Sequence, residues 1–320
     1  MGSFRGVARL PQMIVVLVLL GATAAAFAVT ERLKLERSPI TGTQVDRVFS
    51  PVCECARDSA RISFVLRQPG RITVDLLDRD RRSVRTLVRD SDEPRGRVSY
   101  VWDGRDDLDR VVAEDVYRPR VRLRQHGRTI VLPNPIRVDT TAPSVELVRV
   151  APRVFSPDGD GRRDRVTARY RIDEPARAMM LVDGRRRVMS RFLRTGGTLI
   201  WFGRIGGEPV RPGVYEIRLR AVDRAGNRST RTRAVSVRVR YVVLSRDRIE
   251  VVAGGRLSVR VSTDALSYRW RFAGGTGIGR SRLLRLRAPV EPGTYSLYAL
   301  VGEWADRAEV IVTGPPAAGE

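Results

Sequence analysis

The sequence predicts an all-β protein, with one apolar N-terminal transmembrane helix followed by three tandem β-sandwiches. Three observations lead there. The phrase Arg47-Val48-Phe49-Ser50-Pro51 returns 106 residues later as Arg153-Val154-Phe155-Ser156-Pro157, the mark of a tandem array. Apolar and polar residues alternate in short runs bounded by Gly and Pro, which is the period of half-buried strands. No segment after the first apolar run keeps a helical period, and 320 residues have room for two or three domains that each bury a core.

The first element is the apolar run Met13 to Val29, preceded by Arg5 and Arg9 and followed by Glu31, Arg32 and Lys34. It reads as a membrane anchor, or as a signal peptide with Ala26-Phe27-Ala28 as its cleavage site; the length of the run favours the anchor. Positive charge on the two flanks slightly favours a cytoplasmic C-terminus. A short basic tail ahead of an early apolar run is how export signals begin, so the residues that follow are expected outside the cytoplasm.

Residues 38–142 form the first expected module, after a polar spacer from Ser38 to Asp46. Ile62, Phe64 and Leu66 alternate with polar neighbours, Ile72, Val74 and Leu76 do the same after Pro69-Gly70, and the two runs read as a hairpin. Trp102 to Arg105 is a turn. In the strand beyond it Tyr117, Val121 and Leu123 share one face and Arg118, Arg120, Arg122 and Arg124 the other. Asp139 to Pro143 is the joint, its proline forcing an extended residue before it.

The second module, 143–240, repeats the scheme with Val166, Ala168 and Tyr170, then Trp201, then Pro212-Gly213 leading into Tyr215, Ile217, Leu219 and Ala221. Tyr117 and Tyr215 occupy matching inward positions. Asp223 to Asn227 closes that strand as a turn. In the third, 241–314, Leu257, Val259 and Val261 alternate, and Pro292-Gly293-Thr294-Tyr295 echoes Pro212-Gly213-Val214-Tyr215. Residues 315–320 read as a disordered tail.

Four of these motifs carry a resemblance: Phe155 to Asp164 (F-S-P-D-G-D-G-x-x-D), the W-D-G-R turn at Trp102 to Arg105, G-x-Y at Gly213 to Tyr215, and A-V-D-x-A-G-N at Ala221 to Asn227. Together they resemble the FlgD-type immunoglobulin-like domain of bacterial exported and cell-surface proteins, named after the flagellar hook-capping protein. The match covers roughly Val45 to Val239, and the third module resembles bacterial Ig-like domains only loosely. Asp139 to Pro143 also looks like the joint common between tandem bacterial Ig-like domains. The resemblance implies β-sandwiches used as spacers or binding modules in a bacterial envelope, without a flagellar role, because the hook protein's N-terminal region has no counterpart here.

Candidate chemistry is sparse. Asp158, Asp160 and Asp164 stand at positions one, three and seven of an acidic loop, where short carboxylates converge on a hard cation such as Ca²⁺. Arg162 at position five and the lack of a Glu at position twelve speak against it, and the alternative is a turn whose carboxylates cap local amides. At the matching place the first module has Cys53-Glu54-Cys55: a local disulfide, free or intermolecular thiols, or a metal site short of ligands. Gly274 to Ser281 has phosphate-loop spacing, but a strand follows it where that loop needs a helix. His126 is the sole imidazole and has no nucleophile motif around it, while Asp106 and Asp107 read as turn acids, so no enzyme is expected. Trp102, Trp201, Trp270 and Trp304 read as core rather than a sugar groove.

Formal charge is +23, carried by Arg, with Lys34 the only lysine. Such charge attracts anionic envelope polymers, lipid headgroups or an acidic protein partner. The function expected is therefore a non-catalytic extracytoplasmic binding or structural protein without a small-molecule substrate. An Arg-rich surface nucleic-acid binder is the alternative; against it, arginine is spread over all modules and few aromatics are free for base stacking.

Overall fold

A computed structural model of the chain describes residues 9–35 and 38–314. The expected tail, 315–320, and Arg5 lie outside the described residues. The N-terminal run is helical over Arg9–Leu35. Its apolar side chains from Met13 to Leu20 are each more than half exposed, as is Phe27 at 67%. Among the described residues no helix is long and apolar enough to cross a membrane, so the anchor expected over Met13 to Val29 is not supported.

Everything after the helix is strand and turn. The described chain divides into two compact units, one comprising Met1–Val48 with Ser59–Val138 and the other Phe49–Asp58 with Asp139–Glu320. In the first, Ala60–Leu66 pairs antiparallel with Ile40–Val45 and Gly96–Trp102. The next strand, Gly70–Leu77, pairs instead with Ser83–Glu93 and Val116–Leu123. The hairpin expected across Pro69-Gly70 therefore does not form, because the chain leaves one sheet there and enters the other. Alternation reports which face of a strand is buried and not which neighbour it pairs with. Both inner faces are core: Ile62, Phe64, Ile72, Val74 and Leu76 are fully buried.

The second unit uses the same crossing without a break. Val166–Val182 is one strand that pairs with Val145–Ala151 and Arg194–Trp201 over its first half, and with Arg185–Met189 and Gly213–Val222 over its second. Its register shifts between Arg171 and Ala176, where Pro175 removes a ladder donor and bends the strand from one sheet to the other. At the repeat offset Leu66 corresponds to Ile172 and Gly70 to Ala176, so the two crossings are equivalent.

Further along the unit, Arg256–Ser262 pairs with Leu283–Arg287 in one sheet. Tyr268–Phe272, Gly293–Val301 and Trp304–Thr313 lie in a second sheet, with Arg248–Val252 parallel to the last of them. Gly275–Gly279 pairs back on Tyr268–Phe272 as a hairpin. Its glycines make room for rings: a Cβ on Gly277 would come within 2.6 Å of Trp270, and one on Gly279 within 2.3 Å of Tyr268. One buried cluster runs from Val150 to Val312 through Tyr241, Val242 and Leu244.

Aromatic side chains tie sheet to sheet. Trp102 meets Tyr117 edge-on at 5.0 Å, and Trp201 meets Tyr215 at 5.7 Å. Each indole Nε1 donates to the carbonyl three residues on, at Arg105 and Arg204. Each tyrosine hydroxyl donates to the carbonyl four residues back, at Ala113 and Arg211, and Tyr295 does the same to Glu291. Tyr117 is buried, whereas Tyr215 is only half-buried. Trp102 and Trp201 are core, while Trp270 and Trp304 are half-buried, the latter stacked on Tyr241 at 5.1 Å.

The arginine row of Val116–Leu123 is not all free. Asp75, 1% exposed, takes Arg120 and Arg122 at 3.0 Å each, and Thr86 Oγ1 donates to it as well. Truncating one partner of a buried ion pair strands the other charge. Arg120→Met, at a guanidinium 21% exposed, should therefore lower the stability of the first unit by about 3 kcal/mol. Arg122→Met, half exposed, should cost under about 1 kcal/mol. Thermal unfolding of the full chain measures both, and equal effects would sink the assignment of Arg120 as the principal counter-ion.

Candidate functional site

The two repeated phrases become two loops with the same closure. The Ser50 N–H donates to Arg57 O at 3.0 Å, and the Ser156 N–H donates to Arg163 O at 3.1 Å. Both serines are fully buried. Inside that common frame the side chains differ.

In the later loop Asp158, Asp160 and Asp164 come together, one oxygen of each within 4.8 Å of the others. Asp164 accepts from the Gly159 N–H at 2.7 Å and the Gly161 N–H at 2.6 Å. Those glycines sit at φ +87° and +85°, where a Cβ would be strained. Asp160 Oδ1 accepts from the Arg162 N–H at 2.7 Å, Asp158 Oδ1 from the Asp160 N–H, and Asp158 Oδ2 from the Ser156 hydroxyl. The carboxylates therefore cap their own turn. One acceptor is left over: Asp160 Oδ2 is buried and has no hydrogen-bond partner. Burial, with the charges of Asp160 and Asp264 added, pushes Asp158 up to about 6. Asp264, which the sequence did not single out, is raised chiefly by burial and shares the Ser156 hydroxyl. The acidic set can thus hold a cation, with an orphaned buried oxygen and a desolvated carboxyl that a positive charge would relieve.

The earlier loop is closed covalently, with Cys53 Sγ bonded to Cys55 Sγ. It lies against the turn Asp223 to Asn227. The Arg57 Nη1 donates to Arg224 O, and a Cβ on Gly226 would stand 2.5 Å from Cys55 Sγ. That turn is itself fixed, since Asp223 accepts from the Gly226 and Asn227 amides and Asn227 Nδ2 donates to Asp139 O in the joint. Asp139, Glu174 and Asp223 form a second acidic group that sequence spacing could not reveal. The Ala221 to Asn227 motif and the Asp139 to Pro143 joint are thereby parts of one latch.

Beside the acidic loop, Arg162 and Arg163 help line a cleft of about 740 Å³, together with Arg240, Arg260, Arg280, Arg282 and Asp264. Arg240 is held by Ser262 Oγ at 3.1 Å. The remaining candidates have structural tasks or none. Asp106 accepts from the Leu108 and Arg110 amides and pairs with Arg110, which holds its carboxyl below the usual range, and Asp107 accepts from the Thr86 N–H. His126 ends the short 3-10 turn Arg124–His126 before Gly127.

No family model matches the chain, and no curated protein does. The FlgD-type resemblance therefore rests on its motifs alone. Among solved structures the chain is similar to the fibronectin(III)-like modules of Clostridium thermocellum CbhA, at 18% identity over 62% of this chain and 93% of that one, TM-score 0.34. It is similar to an I-band fragment of titin at 12% identity, covering 87% and 99%, TM-score 0.31. It is also similar to a structure bearing on host cell surface retention of a 1.5-MDa bacterial ice-binding adhesin, at 12% identity, covering 87% and 97%, TM-score 0.30. Likeness at this level carries no inference about function.

Two outcomes follow from the loops. Gly226→Ala places a methyl on Cys55 Sγ at a backbone φ of +105° and should cost about 2 to 4 kcal/mol in thermal unfolding; an unchanged melting temperature would mean the disulfide loop is not seated on the turn. Asp158 has its folded pKa raised from 3.8 to about 6, so the folded state holds the extra proton in that window. Stability conferred by the protonated carboxyl is full at low pH and is lost as pH rises through about 6. The melting temperature should therefore fall between pH 5 and pH 7, and the fall should shrink in Asp158→Asn.

Proposed function

We propose that this protein is a non-catalytic, extracytoplasmic component of a bacterial cell envelope. Three Ig-like sandwiches, 38–142, 143–240 and 241–314, would present arginine to anionic polymers, and the exposed apolar helix would serve export or membrane attachment. The observation that carries this reading is the placement of the charge. Arg162, Arg163, Arg260, Arg280 and Arg282 are exposed around one cleft, and no ion pair is recorded for them among the described residues. Acids that might have served catalysis, such as Asp106, Asp164 and Asp223, are instead engaged by amides of their own turns. A row of guanidinium groups on a rigid sheet binds phosphate, sulfate or carboxylate with fixed geometry.

The test has two arms. A reporter active only outside the cytoplasm, fused after Glu320, should be active. The purified chain should bind immobilised sulfated and phosphorylated polymers with an affinity that falls steeply with salt. A reporter active only in the cytoplasm, or no binding to any polyanion, overturns the reading.

The orphaned Asp160 Oδ2 favours a second feature, a Ca²⁺ held by Asp158, Asp160 and Asp164 that stiffens the loop. Millimolar calcium should then raise the melting temperature and remove its dependence on pH between 5 and 7. Asp160→Ala should abolish both effects. If calcium changes nothing, the loop is capped by its own amides alone.

A further inference from the structure

The cleft within the second unit has chemistry more specific than a charged face. Six arginines line it, Arg162, Arg163, Arg240, Arg260, Arg280 and Arg282, against one acid, Asp264. They come from four separate places in the chain: the acidic loop, the segment after Val239, the strand Arg256–Ser262, and the bend before Leu283. Like charges brought together by folding repel one another, and a concave wall focuses their field instead of spreading it. Such an arrangement is relieved by an anion with several charged groups. At about 740 Å³ the space is that of a ligand cleft rather than of a flat docking face.

The rest of the lining narrows the class. Val154, Ala265 and Leu266 place apolar surface between the guanidinium groups, which a bare chain of phosphates would leave uncovered and the C–H faces of a sugar would cover. The ring in the lining, Tyr268, is 4% exposed and its hydroxyl donates to Ser281 O, so it offers no face for a base to stack on. A bilayer surface is too flat to enter. We infer that this cleft binds a short stretch of acidic oligosaccharide carrying phosphate or sulfate esters, with the arginines as bidentate partners of the esters and the apolar strip under the sugar ring. The inference rests on the reading that the protein contacts anionic polymers, and it names where and which.

The test is calorimetric titration of the full chain with a sulfated tetrasaccharide cut from heparin, with tripolyphosphate and a mixed-sequence single-stranded DNA oligomer as comparison ligands. Arg260→Ser/Arg282→Ser removes two charges from the cleft. Arg285→Ser/Arg287→Ser removes two exposed charges from the neighbouring strand without touching the lining. The cleft variant should lose at least about tenfold in affinity for the tetrasaccharide, the amount expected when charge-assisted hydrogen bonds are removed. The control should lose less than about twofold, since only general attraction falls. Both variants should keep the wild-type melting temperature; if the double cleft variant melts early, Arg280→Ser alone replaces it and should still lose affinity. Equal losses in the two variants would overturn the cleft and leave general polyanion contact standing. Equal affinity for tripolyphosphate would overturn the sugar, and tighter binding of DNA would replace it with a nucleic acid. Absence of binding by any of the three would overturn this inference and the proposed function together.

Discussion

Two sheets packed face to face stand about 10 Å apart, and something must span that gap at a fixed height for the strands to keep their register. In this chain the span is a tryptophan edge-on to a tyrosine from the opposite sheet, Trp102 with Tyr117 and Trp201 with Tyr215. Both residues bring a polar atom inward, and a buried N–H or O–H without a partner would cancel part of the gain. Each is satisfied locally, the indole by the carbonyl three residues on and the phenol by the carbonyl four residues back. The ring position thus dictates the turn, and the turn dictates where the next strand begins. The recurring Trp-x-Gly-Arg and Gly-x-Tyr motifs are the visible record of that dependence.

The later part of the chain solves the same problem differently. Tyr295 keeps its bond to Glu291, but its ring partner is Phe272, on a strand of its own sheet. Tryptophan has moved to position 304, where it stacks on Tyr241, and the Tyr241 hydroxyl donates to Val210 O. Burial of that hydroxyl drives its pKa upward, so it stays a donor at any ordinary pH. One aromatic stack therefore links residues on both sides of position 240, and the buried cluster is continuous across it.

Period-two alternation and the repeated phrase made the strands and their inward faces legible, because burial of every second residue leaves its mark in composition. Pairing left no such mark. The switch of sheets at Pro69-Gly70 looks like a hairpin because both designs put Pro-Gly between two amphipathic strands. Two further features were hidden by distance. Arg120 and Arg122 belong to an outward row, and only the fold brings them to Asp75, although an acid inside Ile72-Thr73-Val74-Asp75-Leu76 was a signal that a counter-ion must come from elsewhere. Asp264 sits in a polar turn that nothing local distinguishes, and it acquires meaning only against Ser156 and Asp158.

The pair of opening loops shows what a repeat keeps and what it releases. Kept are the buried Phe and Ser and the bond that closes the loop on the Arg57 or Arg163 carbonyl, since these bear on the core. The tip is released, and it diverges according to what it meets. A bridge between Cys53 and Cys55, two residues apart, closes so short a ring that it removes little disorder from the unfolded chain. Its effect is therefore less on the loop than on its neighbour: it presents a compact, uncharged sulfur surface that fits against a glycine with no side chain at Gly226. The acidic tip faces Asp264 and a wall of arginines, where a polar and charged surface is compatible and a sulfur one would leave amides unsatisfied. The same backbone frame thus carries an apolar contact in one place and an electrostatic one in the other, and the side chain opposite decides which.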